Sequence, residues 1–413
     1  MKLLSLQPCS FLSVGKIRRN WGAVSDCVVP NSIQLLLLCA RGCNADRDRV
    51  RELAREVADW DALASAAEYH GLTGLLRSLL EESCPDLVAQ DVTSLLRKDY
   101  RDSAARNLIL TSQVFSLIDL FQAEGIDVMP LKGPVLAERL YPDPVLRPFS
   151  DLDLLVRKRD VARASSILAQ QGYALSPHLA RLSLHTLLHL NCALLFRHGR
   201  GAHVDLQWEV GPSDYPFSFD TEILWRSSSK TRIDGREVAC LSPESLLLYL
   251  CVHGTKHMWS RLLWLGDVAR LVRTPLNWPE VLALAAEAKC SRPLLLGLLL
   301  AHELLEAPVP EEVLQLARST QAVQSRATQA SLRLQCVQPA EPQSWEFTIF
   351  NARMAERSWD KLRHYASMLK APTEWELETL PLPERFFFLY YPLRLARIAR
   401  KYGSRLTQRL IHK

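Results

Sequence analysis

A chain of 413 residues has room for two or three domains, and 48% hydrophobic with 23% charged residues is the mix of a protein that folds around a core. That mix excludes a disordered or collagen-like chain, and no run reaches the ~18 to 20 unbroken apolar residues of a membrane span. A formal charge of +5 suits a phosphate-bearing partner but falls well short of a dedicated nucleic-acid binder. The ten cysteines include no Cys-x-x-Cys pair and complete no zinc pattern, so reduced, mostly buried thiols are expected. Gln7, Pro8 and Lys16-Ile17-Arg18-Arg19 interrupt the first apolar patch before an export core is built, which leaves a cytoplasmic protein as the simplest expectation.

Residues 1–30 form a poorly defined tail. From 31 to 124 apolar residues recur at helical spacing: Leu35 to Leu38, then Leu53, Val57 and Trp60, then Leu72, Leu76 and Leu80, then a long stripe through Leu96, Leu108, Val114, Ile118 and Phe121. Gly125 closes that helical region. Between 125 and 241 short β-type runs (126–131, 152–156, 193–196, 203–208 and 238–241) alternate with helices over 135–141 and 160–171, an α+β core. Ser242-Pro243-Glu244 caps a new helical region, 242–330, with further helices predicted over 262–272, 278–289, 293–306 and 311–318. A polar, Gln- and Ser-rich stretch over 319–331 reads as a separator before a last helical block, 331–413. Its basic, amphipathic tail suits either docking on the domain or contact with an anionic membrane surface.

The most informative segment is Arg147-Pro148-Phe149-Ser150-Asp151-Leu152-Asp153-Leu154-Leu155-Val156. A strand repeats every two residues, so Asp151 and Asp153 project from one face while the leucines anchor the other, the outline of a divalent-cation site. Upstream, Val128-Met129-Pro130-Leu131-Lys132-Gly133 is a short apolar run ending in Lys-Gly, where a strand can hand over to a helix. The order strand, Lys-Gly turn, helix, arginine, Asp-Leu-Asp strand resembles the DNA polymerase β-like nucleotidyltransferase superfamily. It is more closely similar to that superfamily's group of uncharacterised bacterial nucleotidyltransferases, through Leu131-Lys132-Gly133, Tyr141, Arg147 and Ser150 to Val156.

The resemblance implies a polymerase β-like core, a small mixed sheet with helices, flanked by helical N- and C-terminal regions. It implies transfer of a nucleoside monophosphate from an NTP to a hydroxyl, with two Mg²⁺ ions. Asp151 and Asp153 would bind metal, and Asp205 of His203-Val204-Asp205-Leu206-Gln207-Trp208 would complete the site and favour deprotonation of the acceptor. Lys132, Gly133 and Arg147 would hold phosphates, Arg147 through its planar fork. The chain departs from the usual pattern at Pro134, which has no N–H to give a phosphate but suits the first turn of a helix. A second cluster, His253-Gly254-Thr255-Lys256-His257-Met258-Trp259 with Trp264 and Asp267, is similar to a helix pair of that family; Lys256 would contact the nucleotide or the acceptor. The acceptor itself, whether sugar, protein or RNA end, is not written in the chain. The rival readings are a non-catalytic nucleotide-binding descendant of the fold and a membrane-peripheral protein of envelope polysaccharide assembly.

Overall fold

The computed structural model describes residues 30–397 except 43–45, 178, 200–202, 212–214, 218–219, 234, 337–341, 343, 371–378 and 381. The N-terminal tail up to residue 29 and the last sixteen residues of the basic tail therefore lie outside the described residues. Five helices come first: α1 (Asn31–Arg41), α2 (Arg47–Arg55), α3 (Trp60–His70), α4 (Thr73–Ser83) and α5 (Gln90–Ala123). Asp46 and Asp59 cap α2 and α3 by accepting from the amides of Asp48 and Ala62, satisfying donors that the first turn leaves free. The 34 residues of α5 carry the predicted stripe to its end, where Val114, Ile118 and Phe121 are buried.

Next in the chain are β1 (Val128–Pro130), α6 (Pro134–Leu140), β2 (Asp151–Val156), α7 (Val161–Gln170), β3 (Tyr173–Leu175), α8 (Leu184–Leu190), β4 (Ala193–His198) and β5 (His203–Gln207). The sheet runs β1-β2-β5-β4-β3, with β2 and β5 parallel and every other pair antiparallel, so it is small and mixed as expected. One face is a hydrocarbon layer: Leu152, Leu154 and Val156 of β2 and Val204 and Leu206 of β5, with Trp208 beyond it, meet Ile118 and Phe121 of α5 and Leu168 of α7. Each such side chain contributes about 1.5 to 3 kcal/mol by leaving water, which fixes which face of β2 and β5 turns inward.

Beyond α9 (Glu222–Arg226), β6 (Ser228–Ile233) and β7 (Arg236–Leu241) form a separate antiparallel hairpin. Only its second strand is expected from the sequence. The remaining helices are α10 (Pro243–Lys256), α11 (Leu262–Val272), α12 (Trp278–Glu287), α13 (Ser291–Leu305), α14 (Glu311–Ser319), α15 (Gln321–Leu334), α16 (Ser344–Met354) and α17 (Ser358–Lys370). Ser242 caps α10 by accepting from the Ser245 amide, with Pro243 in the first turn, as predicted. Helix α13 is apolar all round and packs among α10, α11, α12, α14 and α15.

The polar stretch read as a separator is a helix instead. In α15, Val323, Ala327, Ala330 and Leu334 fall on one buried stripe, and their small side chains disguise the periodicity among glutamines and serines. Residues 30–368 make one compact unit, and the described residues beyond 368 belong to a second. In that second unit Glu384–Leu389 is a short 3₁₀ helix, and the buried Tyr390 hydroxyl donates to Leu380 O and accepts from Leu382 N. Among the described residues no helix is long and apolar enough to cross a membrane. Every described cysteine is a free thiol, and Cys39, Cys84, Cys240, Cys251 and Cys290 are buried.

Candidate active site

The polar face of the sheet is built by the register of its two parallel strands. Asp151 lies beside His203, Asp153 beside Asp205, and Leu155 beside Gln207. Residues in register point the same way, so Asp151, Asp153, Asp205 and Gln207 share the face opposite the hydrocarbon layer. The structure thus brings together the three carboxylates expected from the sequence. Gln207 joins two of them, its Nε2 donating to Asp153 Oδ1 at 2.7 Å and to Asp205 Oδ2 at 3.1 Å. The other Asp153 oxygen, Oδ2, receives Lys132 Nζ at 3.0 Å.

Lys132 reaches that point because the Leu131 amide donates to Asp153 O at 3.0 Å and carries the β1–β2 pairing one residue past β1. Gly133 then turns the chain with φ +63° and ψ −133°, a conformation essentially closed to residues with a Cβ. Pro134 follows in the first turn of α6, where its missing N–H breaks no helical bond.

Burial and the neighbouring charge of Asp153 raise the proton affinity of Asp205 and Asp151. Burial first, and then the charge of Asp153, push Asp205 up to about 6, against the pull of Lys256 and Lys132. Asp151 is raised by the same two causes and held back by Lys132 and Arg147. Opposite the sheet stands α10: burial and the charges of Asp153, Asp205 and Asp151 push the Tyr249 phenol well above its usual range. At the end of α10, the Lys256 ammonium has no hydrogen-bond or ion-pair partner among the described residues, while its carbonyl accepts from Asn351 Nδ2 at 3.3 Å.

The turn that follows is strained and tightly packed. Met258 and Trp259 both have positive φ, +53° and +52°, and their amides close back on Thr255 O at 2.9 Å and Gly254 O at 2.8 Å. The buried Trp259 ring fills a slot whose walls are glycines: a Cβ on Gly254 would stand 2.5 Å from the ring, and one on Gly297 2.8 Å.

Arg147, expected to hold phosphate, is already paired. Its guanidinium does not face the carboxylates with an open fork, because Nε and Nη2 bind Asp267 Oδ1 and Oδ2 at 3.0 and 2.9 Å. The Tyr141 hydroxyl donates to the same Asp267 Oδ1 at 2.8 Å, and both members of the ion pair are buried. What Arg147 gives the site is charge: it lowers the proton affinity of Asp151. Asp267, 120 residues away in sequence, is the partner that local reading left unassigned, and Gln207 is the bridge it passed over. Gln207 was visible on the strand face of Asp205, but a neutral amide carries no signal of its own.

Among the described residues no three His, Cys, Asp or Glu side chains are arranged to hold a metal ion as they stand. The donors are all carboxylate oxygens, the hard ligands Mg²⁺ prefers, and Mg²⁺ normally takes one or two protein carboxylates and completes its shell with water and substrate phosphates. The residues present fit that ion.

Two solved structures are similar over part of the chain. The lincomycin-bound lincosamide antibiotic adenylyltransferase LnuA has 15% identity over 39% of this chain and 96% of its own, with a TM-score of 0.27. An antigenic nucleotidyltransferase-like protein from Paracoccidioides brasiliensis has 18% identity over 49% and 94%, with a TM-score of 0.28. No curated protein matches. A family model described as uncharacterised nucleotidyltransferase matches residues 56–306, which span the sheet, the three carboxylates, Lys132 and the α10–α11 pair. The chain belongs to that family of nucleotidyltransferases.

Proposed function

We propose that the protein transfers a nucleoside monophosphate from an NTP to a hydroxyl of an acceptor in an Mg²⁺-dependent reaction. The observation that carries this reading is the parallel register of β2 and β5, which sets Asp205 directly beside Asp153. Asp151, Asp153 and Asp205 would hold the metal; when bound, it neutralises charge building on the transferred phosphoryl group and on the leaving oxygen. Lys132 and Gln207, now on Asp153, would release its oxygens as nucleotide and metal enter.

Within this reading the acceptor oxygen bonds to the α-phosphorus as the bond to the β-phosphate oxygen breaks, and pyrophosphate leaves with the electron pair. Asp205, raised to about 6, orients the attacking hydroxyl and takes its proton. Lys132 provides a point charge for the phosphates, Gly133 provides bare backbone for their close approach, and Lys256 provides an unpaired ammonium beside Asp205. Arg147 is a positioning residue that binds Asp267 and steadies the charge of Asp151.

Release of pyrophosphate from each NTP, with and without Mg²⁺, tests the proposal. Asp153→Asn is expected to lower the rate by about a hundredfold or more while the fold persists. Equal rates in wild type and variant would remove Asp153 from the chemistry. The second reading, a nucleotide binder without turnover, is favoured by Pro134 and by the Lys132–Asp153 ion pair; it predicts saturable NTP binding with no pyrophosphate release.

A further inference from the structure

His253 and His257 lie one turn apart on α10, flanking Lys256, and neither side chain enters the mechanism above. Their rings are 4.8 Å apart between centroids, and each packs on Trp264 of α11, at 5.1 and 5.3 Å. Both are partly exposed. Among the described residues neither imidazole has a hydrogen-bond partner, and neither has the Lys256 ammonium between them. Three nitrogen groups with no protein partner among the described residues, gathered at one end of α10 and open to solvent, leave their donors available to an anion.

The surrounding charges tie the two rings to the site. After burial, the largest influence on His253 is the charge of Lys132, beside the Gly133 turn, and on His257 that of Lys256. Lys132, His253, His257 and Lys256 therefore share one neighbourhood, and Lys132 and Lys256 both act on Asp205 as well. Desolvation of the rings in their packing on Trp264, and then the lysine charges, push both imidazoles well below their usual range, so each is neutral in the ligand-free protein and offers one N–H. A neutral acceptor hydroxyl asks for no such cluster; two linked phosphates do.

We propose that His253, Lys256 and His257 form a subsite for the two outer phosphates of the nucleotide, the pair that leaves as pyrophosphate. The inference rests on the nucleotidyl-transfer reading and adds two histidines to it. The subsite holds the β- and γ-phosphates by N–H donation from the imidazoles and by the Lys256 charge, which also acts on Asp205.

The experiment is a calorimetric titration of inorganic pyrophosphate into the full chain in EDTA, so that neither turnover nor metal enters. Wild type binds. Replacing both histidines by phenylalanine keeps the rings against Trp264 but removes their donors, and weakens binding by about tenfold or more. Replacing both by glutamine restores an amide donor at each position and recovers most of that loss. The single His257→Phe variant gives an intermediate affinity and serves if the double phenylalanine variant unfolds. Asp151→Asn binds pyrophosphate as well as wild type or better, because it removes a nearby negative charge.

No binding by wild type, equal binding by the phenylalanine pair, or a glutamine pair as weak as the phenylalanine pair would each overturn the subsite. Histidine-dependent binding in a protein that releases no pyrophosphate from any NTP would uphold the subsite and sink the catalytic reading. The two failures are therefore distinct.

Discussion

Asp267 shows how much a single side chain can hold. It accepts from both edge nitrogens of Arg147 and from Tyr141, all away from water, so removing it leaves a buried guanidinium uncompensated. Asp267→Ala is expected to cost about 3 to 5 kcal/mol in urea unfolding. Removing the charge with its partner, as Arg147→Met with Asp267→Leu, is expected to recover most of that, because hydrophobic replacement of both members spares the desolvation. If the double variant is as unstable as the single one, the ion pair is not the source of the cost. His70 makes stability depend on pH. It is fully buried, its Nδ1 accepts from the Leu262 amide at 3.2 Å, and burial lowers its pKa from 6.5 to about 4. The folded state binds fewer protons than the unfolded state between these values, so stability is full above about pH 6.5 and falls by about 3 kcal/mol as pH drops to 4. Unfolding measured across that window should be flatter in His70→Asn; parallel curves would contradict the assignment.

At the scale of elements, the end of α10 is the segment whose conformation is most dearly held. Two consecutive left-handed residues, a tryptophan seated between two glycines, and Asn351 on the last carbonyl fix where Lys256 begins. Gly254→Ala would put a methyl 2.5 Å from the Trp259 ring, and is expected to cost about 1 to 3 kcal/mol and to raise KM for NTP by displacing Lys256. An unchanged KM would separate the turn from nucleotide binding. The elements also show what local sequence can carry. Period-two alternation in Asp151-Leu152-Asp153-Leu154 and Val204-Asp205-Leu206 assigns faces, and the structure keeps those faces. Sequence carries no sign of which strand lies beside which, and the Asp153–Asp205 adjacency is a property of that long-range pairing. β6 escaped because Ser-Ser-Lys-Thr-Arg-Ile is polar, although the Asp234-Gly235 pair that follows is a hairpin signal. α15 escaped because alanines make a faint stripe.

Over the whole unit of residues 30–368, one buried polar chain ties together regions that the sequence suggests as separate. Arg270 of α11 donates to Ala40 O at 2.8 Å and Cys39 O at 3.3 Å at the end of α1, and its guanidinium lies 4.3 Å from the Tyr141 ring centre. Tyr141 passes the connection to Asp267, and Asp267 to Arg147, four residues before Asp151. Arg147 was legible as a charge close to the acidic strand, but its mate was not, because nothing within a helical turn or a strand pair of Arg147 points to a residue 120 positions on. The helices before and after the sheet thus brace the strand that carries Asp151 and Asp153, and nucleotidyl transfer requires those two and Asp205 to act at one point. The most direct measurement is titration of Mn²⁺, followed by electron paramagnetic resonance, into wild type, Asp153→Asn and Asp205→Asn in the presence of a non-hydrolysable NTP analogue. Wild type is expected to bind saturably, and each variant about tenfold or more weakly; no binding in wild type, or unchanged binding in Asp205→Asn, would rule out a metal site shared by these carboxylates.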